Sequence, residues 1–264
     1  MQHLALFLLS QRFVMGNEVN DIKDSDIDEN DSVREKDSPD NKILEGIRLY
    51  QNKEWDNALK EFLSKDTANF TFDEKIELSY YLGLCYTKLN QYEDALSYLE
   101  QVVTSSNDIL RIFQCRMTLA YIYVITKRIQ MAEYELNRLR SSGFESPLLY
   151  NTLAYIAHLK KQNKYAIEFY EKTLELDTNN TTAMNCLGYI LADTGLDIKR
   201  AIRLCKRAVD IKPFNAAYLD SLGWAYYKNG DSREAHTFLS RALEIMPDEA
   251  EIKRHFEIVV GVPL

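Results

Sequence analysis

The sequence predicts an all-α solenoid of about six helical hairpins followed by a capping helix. Small residues recur at nearly constant steps along most of the 264-residue chain, as in proteins built from a structural repeat. The chain has only 9 glycines and 5 prolines, which disfavours a β-sandwich or barrel with many tight turns. Its composition, 46% hydrophobic and 27% charged, is that of a folded protein.

Each predicted repeat contains a pair of small residues. The first members, at steps of 37, 37, 34, 34 and 35 residues, are Gly46, Gly83, Ala120, Ala154, Gly188 and Gly223. The second members follow 12 residues later, or 13 in the fifth repeat, and are Ala58, Ala95, Ala132, Ala166, Ala201 and Ala235. Small side chains let two helices cross closely. Each pair therefore predicts a hairpin of a first helix, called helix A, packed on a second, called helix B.

Apolar spacing and turn residues predict thirteen helices in order. Helix A is expected near 40–52, 74–89, 109–126, 147–161, 181–194 and 215–229. Helix B is expected near 55–65, 92–104, 129–141, 164–175, 198–211 and 232–245. The thirteenth helix, 248–259, is expected to cap the last repeat, because a terminal unit must cover an exposed apolar face. Pro213 and Pro247 should each end a helix B, and Asn229-Gly230 predicts a turn.

The pattern resembles the tetratricopeptide repeat (TPR) family. The likeness is specific in Tyr218-Leu-Asp-Ser-Leu-Gly-Trp-Ala-Tyr, followed by Ala235, Leu239, Ala242 and Pro247, and in Asn185-Cys-Leu-Gly-Tyr-Ile-Leu-Ala-Asp. The first repeat matches least, since Glu45 stands where leucine is usual. The resemblance implies a right-handed solenoid over 41–264, with repeats near 39–72, 76–108, 113–146, 147–180, 181–215 and 216–249 and a cap at 248–260. It also suggests a likeness to bacterial TPR scaffold proteins.

The resemblance implies that helix A lines a concave groove that binds proteins. In the C-terminal half of this groove, amide or carboxylate side chains stand beside a row of aromatic residues, a combination suited to a peptide or a helix of a partner protein. The expected site residues are Tyr80, Met117, Tyr121, Asn151, Tyr155, His158, Asn185, Tyr189, Asp220, Trp224 and Tyr227. The alternative is that the aromatic row packs between adjacent A helices. The groove positions carry no lysine or arginine, which argues against a co-chaperone type of site for a terminal carboxylate.

Negative charge is concentrated before the repeats. Residues 17–40 contain ten acidic and three basic residues, which accounts for −7 of the net −8, and their few aliphatic side chains predict a disordered linker. Residues 197–212 contain six basic and two acidic residues, with Arg200, Arg203 and Arg207 on one helical face. This basic patch is either a solvated surface or a contact for the acidic linker or an acidic partner. The overall charge and the cation-free groove argue against nucleic-acid binding.

Residues 1–16 contain an apolar run from Leu4 to Leu9, but no basic residue precedes it and Arg12 interrupts it. This segment is compatible with a signal or membrane anchor, a helix that docks on the repeats, or a misassigned start. It favours the cell envelope slightly over the cytoplasm. Any contact with a membrane is expected only through this segment.

No catalytic, metal or cofactor motif is present. His3, His158, His236 and His255 fall in separate units, and the four cysteines lie in predicted helices as small buried residues, although a bridge between Cys186 and Cys205 is conceivable. The sequence therefore predicts a protein that is not an enzyme and needs no metal or cofactor. It predicts a scaffold that binds one or more proteins. The alternative is a structural envelope component, tethered by its N-terminus, that organises a membrane assembly.

Overall fold

A computed structural model describes residues 42–261 of the chain. Every regular element in this range is an α-helix, which confirms the predicted fold class. The predictions for the apolar segment 1–16 and the acidic segment 17–40 lie outside the described residues. Within the described range, no helix combines the length and the apolar character that a membrane span requires.

Thirteen helices follow one another in the described range. They are α1 (Leu44–Gln51), α2 (Trp55–Leu63), α3 (Phe72–Lys88), α4 (Tyr92–Ser105), α5 (Ile109–Ile125), α6 (Ile129–Ser141), α7 (Pro147–Leu159), α8 (Asn163–Leu176), α9 (Thr181–Thr194), α10 (Ile198–Ile211), α11 (Ala216–Lys228), α12 (Ser232–Ile245) and α13 (Ala250–Val260). Odd-numbered helices up to α11 are the A helices of six hairpins, and even-numbered helices are the B helices. As predicted, α10 and α12 end two residues before Pro213 and Pro247.

The described chain divides into two compact units. The N-terminal unit, residues 42–144, contains the hairpins α1–α2, α3–α4 and α5–α6. The C-terminal unit, residues 145–261, contains α7–α8, α9–α10 and α11–α12 together with α13. Within each unit, each helix A packs against its own helix B, and each helix B packs against the next helix A. The core of the C-terminal unit is rich in small residues where these helices meet.

Five of the A helices begin at a residue whose side chain caps the helix. The caps of α3, α5, α7, α9 and α11 are Thr71, Asp108, Ser146, Asn180 and Asn215. Each side-chain oxygen accepts a hydrogen bond from a backbone N–H of the first turn, which would otherwise lack a partner. In α3, the Glu74 carboxylate also accepts from the Thr71 N–H and completes a capping box.

The first small residue of each hairpin lies where helices A and B cross. A β-carbon added to Gly223 would lie 2.7 Å from Cγ of Leu239 and 3.2 Å from the carbonyl oxygen of Ala235. At Gly188, it would lie 2.5 Å from Sγ of Cys205. The equivalent residues Ala120 and Ala154 are fully buried. The spacing of small residues in the sequence therefore marks the approach of two backbones.

The turn between helices A and B repeats one backbone conformation. Seven residues after each first small residue the backbone is left-handed, with φ between 58° and 89°, at Lys53, Asn90, Lys127, Lys161, Gly195 and Gly230. In the fourth hairpin, the N–H of Gln162 then donates to the Ala157 carbonyl, which closes the end of α7 in the manner of a Schellman motif. The turn was predicted only at Asn229-Gly230, and three of the other five positions are lysines, which do not signal a left-handed residue.

Substitution of Gly223 by alanine tests the close crossing. Helix propensity alone would raise the free energy of unfolding by about 1 kcal/mol. We expect Gly223→Ala to lower it instead, by about 1 kcal/mol or more, because the added methyl group overlaps Leu239. Urea unfolding followed by circular dichroism measures the change. The exposed substitution Thr237→Ala on α12 is the control and should stay within about 0.5 kcal/mol of wild type. Equal or greater stability of Gly223→Ala would contradict the assignment.

Candidate protein-binding site

Three polar side chains occupy equivalent positions on the A helices of the C-terminal unit. Asn151 on α7, Asn185 on α9 and Asp220 on α11 each stand three residues before the first small residue of their hairpin. All three are buried, with 2%, 6% and 2% of their surface exposed. Tyr155, Tyr189 and Trp224, four residues further along the same helices, are buried as well. The three polar residues are called the polar row.

The last member of the polar row is bonded to the C-terminal helix. Nδ1 of His255 on α13 lies 2.9 and 3.0 Å from the two carboxylate oxygens of Asp220, and the imidazole is fully buried. Nη2 of Arg254 lies 3.2 Å from Nε2 of His255. Because a guanidinium can only donate, Nε2 accepts, and the ring proton is on Nδ1, which donates to Asp220. The imidazole thereby connects a buried carboxylate to an exposed arginine.

Helix α13 also packs against Trp224. The His255 ring stacks on its indole with centroids 4.3 Å apart and an interplanar angle of 17°. Tyr227 stacks on the indole at 5.2 Å, and Nε1 of Trp224 donates to Asp193 at 3.2 Å. Tyr189 lies 6.2 Å from the His255 ring, centroid to centroid. At this end of the row, the aromatic side chains therefore pack against the protein's own helix.

Helix α13 continues the register of the A helices. His255 lies 35 residues after Asp220, at the step that separates Asp220 from Asn185. Ile258 falls where the other A helices carry a small residue, and it is 41% exposed, since no helix B crosses α13 within the described residues. The pairing of His255 with Asp220 was not predicted from the sequence. Extending the 35-residue step by one unit would have revealed it.

The two amides of the polar row differ from Asp220. Oδ1 of Asn151 and Oδ1 of Asn185 accept no hydrogen bond from the described residues, although both atoms are buried. A buried amide oxygen that accepts no hydrogen bond has lost its contact with water without gaining a donor. This destabilises the folded protein until a donor reaches the oxygen. Burial raises the pKa of the neighbouring phenols of Tyr155 and Tyr189, so both are neutral donors at physiological pH.

Two other predicted positions flank these residues in the C-terminal unit. His158 is partly exposed on α7, and its ring meets that of Tyr189 edge to face, with centroids 6.3 Å apart. Tyr227 is also partly exposed, on α11.

The remaining predicted site residues lie in the N-terminal unit. The Tyr80 hydroxyl donates to the side-chain oxygen of Gln114, and the Arg111 guanidinium lies 5.5 Å from the centroid of the Tyr80 ring. Met117 is buried, and Tyr121 is partly exposed. This unit offers no amide at the position of the polar row, where it has Ile43, Tyr80 and Met117.

The predicted basic patch lies on α10. Arg200 pairs with Glu171 of α8, with Nη1 2.6 Å from Oε1, and this pair offsets its charge. Arg207 donates to the carbonyl oxygen of Thr178 at 3.3 Å and is otherwise exposed, as is Arg203. Two lysines that the prediction did not name, Lys199 and Lys206, add exposed positive charge to the same helix.

The four cysteines are free thiols inside the helices. Cys186 and Cys205 are not bridged, and burial raises the pKa of Cys186 to about 11 and that of Cys85 to about 12. Both thiols are therefore protonated at neutral pH and are poor nucleophiles.

Substitution of His255 tests how the C-terminal helix is held. We expect His255→Ala to lower the free energy of unfolding by about 3 kcal/mol, because it leaves the Asp220 carboxylate buried without its donor. His255→Phe keeps a ring against Trp224 but supplies no donor, so it should recover only part of this loss. Urea unfolding followed by tryptophan fluorescence measures both. Lys253→Ala, at a partly exposed position of α13, is the control and removes a 3.7 Å ion pair with the exposed Asp248. A loss at His255 no larger than at Lys253 would refute the pairing.

Comparison with known proteins agrees with the repeat architecture. A family model described as the tetratricopeptide repeat matches residues 216–249, and two further models with the same description match residues 77–106 and 148–180. These ranges correspond to the sixth, second and fourth hairpins. None of the three models describes an enzyme.

Similar proteins support the same assignment. The TPR repeat-containing protein PA4667 of Pseudomonas aeruginosa is 37% identical over 79 residues, which is 30% of this chain but only 13% of that relative. The crystal structure of YrrB has a TM-score of 0.54 at 19% identity, covering 75% of this chain and 95% of YrrB. That of MamA has a TM-score of 0.56 at 19% identity, covering 68% and 96%.

The Cut9 and Hcn1 complex, at 17% identity, has a TM-score of 0.65 and covers 83% of this chain and 42% of the matched one. At such identities, the structural matches show a shared fold alone. Together, the repeat models and the bacterial relative show that the chain contains tetratricopeptide repeats.

Proposed function

We propose that the chain is a non-catalytic scaffold that binds a segment of a partner protein along the A helices of its C-terminal unit. The site is formed by Asn151 and Asn185, together with Tyr155, His158 and Tyr189. Asp220, Trp224 and Tyr227 form its C-terminal boundary, where α13 packs. The N-terminal residues Tyr80, Met117 and Tyr121 remain candidates for further contacts in the other unit.

The observation that carries this proposal is the pair of buried amide oxygens without donors. Asn151 and Asn185 occupy the same position on consecutive A helices, 34 residues apart, and both Oδ1 atoms lack a donor among the described residues. Both oxygens are covered in this structure, so a bound segment can donate its regularly spaced N–H groups to them only after the side chains above them move aside. Asp220 shows what a satisfied member of the row looks like, because His255 of the chain itself donates to it.

Two further facts support a protein ligand. Tyrosine rings beside the amides offer stiff contact area with a polar tip, which is typical of sites where binding energy is concentrated. Among the structural relatives, YrrB is described as a TPR protein with an unusual peptide-binding site. The groove positions of α7, α9 and α11 carry no cation, so we expect the ligand to be recognised by its backbone and apolar side chains rather than by a terminal carboxylate.

The experiment is a selection from a peptide library displayed on phage, with the full-length chain as bait. Binding of the selected peptides is then measured by calorimetry. We expect Asn151→Ala and Asn185→Ala each to weaken binding by about tenfold, since each removes one hydrogen bond worth about 1 to 1.5 kcal/mol.

The matched control is Asn179→Ala, which removes the same amide from an exposed position between α8 and α9. It should bind the peptides as wild type does, and circular dichroism verifies that all three variants fold. If no peptide binds, or if binding survives both row substitutions in folded protein, the proposed site is wrong.

A further inference from the structure

The outer surface of α10 carries a concentration of exposed cations that the proposed groove does not use. Lys199, Arg203, Lys206 and Arg207 are all exposed, whereas Arg200 is already paired with Glu171. The neighbouring helices α8 and α12 also carry cations at the positions of Lys199 and Arg207, but not at those of Arg203 and Lys206. Glu168 and Glu171 of α8 stand where α10 has Arg203 and Lys206.

Exposed apolar side chains adjoin these cations. Ile211, at the end of α10, is 49% exposed, and Phe214, in the loop that follows, is 82% exposed. Leu176 is the last residue of α8 and Ile245 is the last residue of α12. They lie 35 residues before and 34 residues after Ile211, at equivalent positions of the repeat, and each is more than 40% exposed. Exposed apolar residues that recur at one position of a repeat and lie beside charges are typical of an interaction surface.

Two arginines occupy equivalent positions on α10 and α12. Arg207 of α10 donates to the carbonyl oxygen of Thr178, and Arg241 of α12 donates to that of Pro213 at the same distance of 3.3 Å. Each guanidinium is thereby placed near an exposed aliphatic residue that ends the preceding helix B. The surface formed by Lys199, Arg203, Lys206, Arg207, Ile211 and Phe214 is called the α10 surface.

We infer that the α10 surface binds the chain's own acidic segment, residues 17–40. This segment has a net charge of −7, and it places Val19, Ile22 and Ile27 between its acidic residues. Acidic side chains complement the four exposed cations, and the interspersed aliphatic residues complement Ile211 and Phe214. A nucleic acid would satisfy the cations but give no role to the apolar side chains.

The covalent connection favours this occupant over a separate acidic protein. The described chain begins at Lys42, two residues after the segment ends, so the segment is covalently tethered to the repeats. A tethered ligand acts at an effective concentration on the order of millimolar, so even a weak contact is populated. The contact rests on exposed charges and is expected to weaken as salt is added.

Hydrogen exchange on the full-length protein tests the inference. In one variant, the ten acidic residues of 17–40 are replaced by their amides. At an ionic strength of about 0.01 M, where the Debye length is about 30 Å, we expect amides of residues 198–214 to exchange about three to ten times faster than in wild type. The difference should disappear near 1 M salt and be independent of protein concentration.

A second pair of substitutions separates this contact from a general effect of charge. In an Arg203→Glu/Lys206→Glu background, neutralising residues 17–40 should no longer change the exchange of α10. In the control background, Lys164→Glu/Arg233→Glu, which changes the same charge on α8 and α12, the effect of neutralisation should persist.

Several outcomes would overturn the inference. They are equal exchange of residues 198–214 with and without the acidic residues, an effect that survives in the Arg203→Glu/Lys206→Glu background, and protection that grows with protein concentration. Protection of α10 by anionic lipid vesicles or an oligonucleotide that does not depend on residues 17–40 would also overturn it.

Discussion

The close crossing of helices A and B determines where the other side chains of each hairpin lie. At Gly46, Gly83, Gly188 and Gly223, a single added carbon atom would overlap a side chain of the partner helix. With this contact fixed, the residue three positions earlier on helix A faces the same way in every hairpin. The polar row therefore follows from the positions of the small residues. The left-handed turn seven residues after each small residue completes this local geometry.

Helix α13 shows how the same geometry continues beyond the sixth hairpin. Helix α13 repeats the A-helix register without a small residue, since within the described residues it has no helix B to cross. It covers the last hairpin with Ile252 and His255, both fully buried. His255 gives Asp220 the hydrogen bond that a buried carboxylate needs, and its ring covers Trp224. The polar row thus contains one satisfied carboxylate and two amides whose oxygens lack donors.

The sequence predicted most of the fold because its repeat is carried by residue size. Helix bounds in the structure lie within four residues of those predicted from the spacing, including α13. The turns of the first four hairpins could not be predicted, because lysine and asparagine occupy left-handed positions that the local hydrogen bonds impose. The candidate site was predicted only as a set of positions. Which positions are covered depends on a contact between Asp220 and His255, which lie 35 residues apart. The predicted repeats ended at the last complete hairpin, so this contact was not expected.

A double-mutant cycle at one crossing tests the central claim most directly. Gly188→Ala and Cys205→Ala are measured singly and together by urea unfolding, because the added methyl group would lie 2.5 Å from the Cys205 sulfur. If the crossing governs the hairpin, removing the sulfur relieves the overlap. The double variant should then be more stable than the sum of the single losses predicts, by about 1 kcal/mol. Additivity within about 0.5 kcal/mol would show that the two residues do not limit the helix approach, and it would contradict the account.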